Sequence, residues 1–244
     1  MENSEENQKV QETLIKAGLR KGYFTLVEGV YDPGILKAVF LAGGPGSGKS
    51  DTVDTLFDFP PDARNLSPSG LKIVNSDPAF EILLKKAGYD LNLSKMDDET
   101  FAKVTSDDPN SIRSRAKKIM LKQFELFKDG RLGVIVDGTG DNYNKISKQK
   151  KELEKLGYDC YMVFVNTTLD VAQQRNALRA RKLPRKIVKD IWTDVQKNLG
   201  KFQGLFKSNF VIVDNSEDTR SKTKPGRLDL VPRLMKEVAK FISK

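Results

Sequence analysis

The sequence predicts an α/β fold, a parallel five-stranded sheet with helices on both faces, an arginine-rich helical lid and an inserted helical element. Three observations carry that prediction. Apolar runs of strand length alternate with segments of helical periodicity from Lys37 to Ser216, the pattern of a parallel sheet covered on both sides. The first run, Val39-Phe-Leu-Ala42, breaks directly into glycines. Later runs end on polar residues, at Asn75-Ser-Asp77, Asp137 and Asp214-Asn215. In such sheets ligands gather at the carboxyl ends of the strands.

Taken in order, Val10, Leu14, Ile15 and Leu19 lie at helical spacing within Asn7 to Arg20. Tyr23 to Leu36 mixes strand formers with an Asp32-Pro33-Gly34 turn and stays unassigned. A helix from Lys49 to Asp58 is stopped by Pro60 and Pro61, and Leu71 to Asn75 forms the second strand. Pro78 to Lys86 is helical, with Asp77 ahead of it in the N-cap position. Tyr89 to Asn110 has weak periodicity and an acidic run at Asp97, Asp98 and Glu99, as expected of an element inserted over the sheet.

Ser111 caps a helix that Gly130 ends, with Ile112, Ile119, Phe124 and Phe127 as its apolar set. Leu132 to Asp137 is the third strand, Tyr143 to Leu156 a lysine-rich helix and Tyr158 to Val165 the fourth strand. Helices over Leu169 to Arg181 and Pro184 to Leu199 precede the fifth strand, Phe210 to Asp214. A polar linker from Ser216 to Arg227 leads to an amphipathic helix over Leu228 to Ile242. Trp192 and Phe202 to Phe206 read as core at these spacings.

Composition narrows the chemistry. The 244 residues are 38% hydrophobic, enough for one large core. The absence of histidine removes imidazole bases and histidine metal sites, leaving carboxylates, Lys, Arg and bound ions. Cys160 is the only cysteine, so a buried thiol in a reducing cytoplasm is expected. No apolar run reaches membrane-spanning length, and the start of the chain lacks a signal-peptide pattern. A formal net charge of +9 favours anionic ligands, including nucleic acid. The charge is concentrated: Arg175 to Lys189 holds seven basic residues and no acid.

Gly43 to Ser50 fits G-x-x-x-x-G-K-[ST], the P-loop. Over Gly44, Pro45, Gly46, Ser47 and Gly48 the backbone can turn its N–H groups toward a phosphate chain, and the following helix aims its positive end there. Lys49 would meet the β- and γ-phosphates and Ser50 would ligate Mg²⁺. The competing reading is a glycine-rich turn; the full motif between strand and helix favours a nucleoside triphosphate, ATP or GTP. The chain then divides as one domain, with a helical extension over 1–36, a nucleotide-binding core over 37–216 and a linker and helix over 217–244. The insertion spans 89–112 and the lid 169–200.

Four further places can carry chemistry. Asp137 ends an apolar strand beside the P-loop face, where it can hold Mg²⁺ or its waters; otherwise Asp-Gly opens a turn. Asp77 is either the helix cap alone or also the base for an attacking hydroxyl. Arg175 and Arg179, four apart, share a helix face from which Arg181 points away, and Arg185 opens the next helix, where the macrodipole disfavours a cation. These arginines either form a solvated basic face or close over a transferred phosphoryl group. Asn215 meets the nucleotide base or is part of a plain turn.

Together the P-loop, Asn75-Ser-Asp77, Asp137-Gly-Thr and the arginines from Arg175 to Arg185 resemble the P-loop kinases of the zeta-toxin and polynucleotide-kinase group, over about Lys37 to Ser216. The resemblance implies Lys49 and Ser50 on phosphates and Mg²⁺, Asp77 as substrate base, Asp137 supporting the metal, and Arg175, Arg179 and Arg185 as lid arginines. It also implies the acceptor: the zeta-toxin branch phosphorylates the sugar of a UDP-amino sugar, the polynucleotide branch a 5′-hydroxyl end. Pro78-Ala-Phe-Glu81 stands where the zeta branch commonly has a basic residue after the aspartate. Three expectations follow: a small-molecule kinase with a closed pocket under the insertion; a nucleic-acid kinase with a basic channel using Arg113, Arg115, Lys117 and Lys118; or a non-catalytic module in which ATP orders the lid for a partner.

Overall fold

Lys37–Ala42 (β1) is buried at every position because it lies in the middle of the sheet, between Val134–Asp137 (β3) and Asp159–Asn166 (β4). Lys72–Val74 (β2) pairs beyond β3 and Phe210–Asp214 (β5) beyond β4, giving five parallel strands in the order β2-β3-β1-β4-β5. The expected five-stranded parallel sheet is therefore the one observed. The structure, a computed structural model, describes residues 34–57, 67, 69–216 and 230–242. The expected helix over Asn7 to Arg20, most of the unassigned stretch after it, the stop at Pro60 and Pro61, and nearly all of the linker after Ser216 lie outside the described residues.

Strand alternation divides the core in two. Ala38, Phe40 and Ala42 point to one face, where they meet Ile112–Asp129 (α4), Tyr143–Lys155 (α5) and Arg185–Phe206 (α7) through Met120, Phe124, Ile146, Leu153, Val195 and Phe202. Val39 and Leu41 point to the other, against Lys49–Phe57 (α1) and Leu230–Ile242 (α8) through Val53, Leu56, Val238 and Phe241. Cys160 is buried on the first face, and burial pushes its thiol up to about 12, so it stays protonated. In α4 the buried stripe is Ile112, Ala116, Met120 and Phe124, a strict i+4 row. Ile119, expected in that set, lies off the row and is 44% exposed.

Asp77–Lys86 (α2), a 3₁₀ turn over Leu93–Lys95, Asp98–Thr105 (α3) and the first turns of α4 enclose a third, smaller core of Phe80, Leu84, Leu93, Val104, Ile112 and Ala116. Of this layer, the 3₁₀ turn and α3 fall within the stretch 89–112 read as an insertion, while α2 and α4 flank it. Its acidic run has a local cause: the Asp97 side chain accepts from Thr100 N at 2.8 Å, while Asp98 and Glu99 sit in the first turn, where the helix dipole favours anions. Leu169–Leu178 (α6) completes the set, and the loop from Arg179 to Pro184 joins it to α7.

The chain runs from β1 out to β2, back to β3, and then across β1 to β4 and β5. That reversal leaves the end of β1 at the switch point of the sheet, where open α/β folds bind ligands. Phe40 is the centre of the first core, 1% exposed and edge-on to Phe206 with ring centroids 5.4 Å apart. Phe40→Ala should lower unfolding free energy by about 3–5 kcal/mol in urea titrations; a loss under about 1 kcal/mol would show that β1 is not where the core is anchored.

Candidate active site

The turn after β1 is shaped from behind. Gly46 (φ +77°) and Gly48 (φ +85°) are left-handed, and a Cβ at either would meet Ala172 O at 2.4 Å or Asn215 Nδ2 at 2.2 Å. Only glycine fits there. Asn215, 2% exposed, donates through Nδ2 to Ser47 O at 2.7 Å, and its own carbonyl accepts from Arg175 Nη1 at 2.9 Å and Thr167 Oγ1 at 3.2 Å. Arg175 also reaches Gly46 O at 3.5 Å. Both residues, expected at the nucleotide, are thus bonded to the P-loop itself, Asn215 at Ser47 and Arg175 at Gly46. Thr139 O accepts from Gly43 N at 2.8 Å on the other side. The buried Ser47 Oγ has no hydrogen-bond partner, as in a loop that offers polar groups to a ligand.

Lys49 follows the turn as the first residue of α1, with Ser50 exposed beside it. The ammonium folds back onto Gly43 O and, at 3.4 Å, Gly44 O. Burial lowers its pKa, against the opposing pull of Asp137 and Asp77. Asp137 arrives because β3 is in register with β1, Leu41 opposite Asp137. Burial raises its pKa, outweighing Lys49, and its one side-chain hydrogen bond comes from Asn75 Nδ2 at 2.7 Å. Asn75 Oδ1 in turn accepts from the Asp77 backbone N at 2.8 Å. One amide at the end of β2 thus spaces both carboxylates.

Asp77 does not cap α2. Ser76 holds the N-cap position without a side-chain bond, and Asn75 takes the Asp77 N–H. The Asp77 carboxylate is instead clasped between two arginines: Arg113 Nη1 donates to Oδ1 at 2.9 Å and Arg181 Nη2 donates to Oδ2. Arg113 lies over the Phe80 ring, 5.1 Å from its centroid, and Arg181 Nε also donates to Glu81 Oε1 at 3.0 Å. Burial acts to raise the Asp77 pKa, but Arg181, Arg113 and Lys49 together bring it below the usual value.

The lid differs from expectation in one respect. α6 ends at Leu178, and Arg179 is already extended (φ −77°, ψ 153°), so Arg175 and Arg179 do not share a helix face. The buried Asn176 closes the following loop, donating from Nδ2 to Leu183 O at 2.8 Å and accepting from Leu183 N at 3.0 Å. That turn carries Arg181 down to Asp77, whereas its spacing pointed it elsewhere. Arg179 is exposed but within electrostatic reach of Lys49 and Asp137. Arg185, exposed at the start of α7, has no side-chain bond to Asp77, Lys49 or Asp137.

Beyond Asp137 a cavity opens between β3, α4 and α5, floored by Phe40, Val74 and Met120 and edged by Thr139, Lys145 and Gln149. Trp192 is half-buried, donating from Nε1 to Thr167 O at 2.8 Å and lying against Gly44. The donors suited to a hard cation are the Ser50 hydroxyl and the Asp137 carboxylate, an all-oxygen set of the kind Mg²⁺ takes along with phosphates and water. Asp137 has the oxygen chemistry for that use, with Oδ2 accepting from Asn75 Nδ2 at 2.7 Å. Sequence reading missed Asn75 and Glu81 as site groups and the clasp made by Arg113 and Arg181; the two-acid spacing Asp77 to Glu81, i to i+4 on one helix face, was the available signal.

Comparison with known proteins comes from two directions. The family model described as Zeta toxin matches residues 91–221, just over half of the chain. The P-loop and Asp77 precede that span. Among solved structures, a candidate kinase from Chloroflexus aurantiacus J-10-fl superposes with TM-score 0.51 at 11% identity, covering 84% of this chain and 97% of that one. The PezAT toxin–antitoxin structure from Streptococcus pneumoniae gives 0.48 at 14% identity over 85% of each chain, and shikimate kinase from Bacteroides thetaiotaomicron gives 0.48 at 14% over 84% and 98%. No curated protein matches the sequence. The first of these likenesses shows a shared fold.

The clasp on Asp77 has a pH signature. A folded-state pKa below the unfolded value contributes stability that is present above about pH 4 and lost as pH falls through the folded pKa. Because the carboxylate is partly exposed, Asp77→Asn should cost about 1 kcal/mol at pH 7, and the difference from wild type should close toward pH 3. Urea titrations at both pH values read this. Equal stability at pH 7 would show that the two arginines contribute nothing net.

Proposed function

Because the chain belongs to the zeta toxin family, we propose that it is a kinase that transfers the γ-phosphoryl group of ATP, with Mg²⁺, to a hydroxyl of a small molecule, a nucleotide sugar being the acceptor class the family suggests. The observation that supports this most is the convergence of Asp137 and Asp77 on Lys49 at the carboxyl ends of three adjacent strands. A module that only binds nucleotide has no use for a second carboxylate held ionised beside the phosphate lysine.

In this reading the P-loop amides and Lys49 hold the β- and γ-phosphates, with the lysine leaving Gly43 O to do so. Ser50 and Asp137 would hold Mg²⁺, which supplies charge neutralisation on the phosphates. The acceptor hydroxyl gives its proton to Asp77 as its oxygen attacks the γ-phosphorus, and the bond to the β–γ bridging oxygen breaks, releasing ADP. Arg179 and Arg181, rather than Arg185, would take up charge spreading over the migrating group. Arg175 and Asn215 keep the cradle's shape.

A polynucleotide acceptor is less well supported. Of the basic channel that it needs, Arg113 is paired with Asp77, Lys117 with Asp107 at 2.9 Å, and Lys118 bonds Pro109 O at 3.2 Å.

The test is transfer of label from γ-labelled ATP to a panel of hydroxyl acceptors that includes nucleotide sugars and 5′-hydroxyl oligonucleotides. Lys49→Ala should abolish transfer, and Asp77→Asn should slow it by roughly 10²-fold or more with nucleotide affinity kept. Transfer to no acceptor, or transfer indifferent to both substitutions, would sink the reading. Arg179→Ala should lower kcat by roughly tenfold or more, well beyond its effect on the ATP dissociation constant, while Arg185→Ala stays near wild type. Equal losses in rate and affinity for Arg179→Ala would mean that it only holds nucleotide.

A further inference from the structure

The two arginines on Asp77 come from different parts of the fold. Arg113 belongs to α4, which is anchored in two cores, and its guanidinium rests on Phe80. Arg181 belongs to the loop between α6 and α7, which has no helix or strand of its own. Asn176 ties that loop into a closed turn. Its contacts with the α2 layer are few: Arg181 to Asp77 and Glu81, and Leu183 packed on the small core of α2, α3 and α4.

The bonding on Asp77 conflicts with the work of a base. Oδ1 is engaged by Arg113 and Oδ2 by Arg181. A base must present an oxygen to the acceptor hydroxyl, and phosphoryl transfer calls for a lid cation on the γ-phosphoryl group. One guanidinium cannot cover Oδ2 and also move fully onto the phosphoryl group. Glu81 explains why Arg181 rests where it does. Asp77 and Glu81 are i and i+4 on α2, a like-charge pair that is unfavourable until a cation bridges it. The other charges facing Asp77 are Lys49 at the P-loop, Arg113 on α4 and, beyond Lys49, Asp137 at the end of β3.

Resting on the assignment of Asp77 as base, we propose that Arg181 is a two-position latch. In one position it bridges Asp77 and Glu81, covering the base and docking the lid loop on α2. It moves to the γ-phosphoryl group when a nucleoside triphosphate is bound, and only then uncovers Oδ2 for the acceptor. Glu81 is the keeper of the latch. It bonds Arg181 at 3.0 Å, so its removal weakens the docked position.

Limited trypsin digestion reads the latch without catalysis, because Arg179, Arg181 and Lys182 are cleavage sites inside the loop. Nucleotide-free Glu81→Gln should be cut there roughly two- to fivefold faster than wild type, the scale of a half-exposed ion pair. Glu81→Asp, which keeps the charge on a shorter arm, should fall between. In wild type, a non-hydrolysable ATP analogue with Mg²⁺ should change the cleavage rate and MgADP should not. Trp192, the only tryptophan, lies against Gly44 and reports nucleotide binding independently by its fluorescence. Equal cleavage of Glu81→Gln and wild type overturns the latch. Faster cleavage of the variant with no distinction between the two nucleotides overturns the switching step. A fluorescence signal that is silent to both nucleotides overturns the nucleotide assignment instead, and the comparison of Glu81→Gln with wild type still decides whether the docked contact exists.

Discussion

Register between β1 and β3 is the constraint on which the site depends. Leu41 opposite Asp137 puts a carboxylate one position short of the turn that carries Lys49, and Val74 opposite Val136 brings Asn75 alongside it. A slip of one residue along a strand turns each side chain to the opposite face. Here the two faces bury different cores, with Phe40 and Ala38 in one and Val39 and Leu41 in the other, so the register is enforced by packing on both sides. The relative positions of Lys49, Asn75 and Asp137 are thereby fixed by the packing of apolar residues.

The electrostatics of the site follow from that enforced proximity. Asp137 is held in a place where burial penalises its charge, and Lys49 in a place where burial penalises its own. Neither is relieved by a direct ion pair; the lysine turns to its own loop carbonyls and the aspartate to an asparagine. Asp77 is the opposite case, overcompensated by two guanidiniums. Perturbed titrating groups clustered in this way at strand ends are a general mark of functional sites.

The layer formed by α2, α3 and the start of α4 has its own small core, and the lid loop rests on it through Leu183. This explains how the insertion serves the site without belonging to the sheet. It presents Asp77 and Glu81 on one rigid surface and Arg113 on another, leaving the lid loop as the connecting piece. The family match begins at Leu91, inside this layer, and extends past β5.

By itself the sequence determined the five strands, the P-loop, the helices that flank them and the strand-end positions of Asp77 and Asp137. These depend on short-range signals: apolar periodicity, a fixed glycine spacing, and an acid where a strand stops. The cap of α4 at Ser111 is of the same kind. The tertiary structure alone decided which charges meet. Arg113 is 36 residues from Asp77 and Arg181 is 104, and no period in the chain connects them. Asn215 reaches the P-loop across 168 residues, where a local reading could offer only a turn or a nucleotide contact. Helical spacing even pointed Arg181 the wrong way, because it cannot register that a buried amide at Asn176 ends α6 and folds the next turn back. Local pattern sets the direction of the backbone; long-range pairing of buried polar groups sets where each long, charged side chain comes to rest.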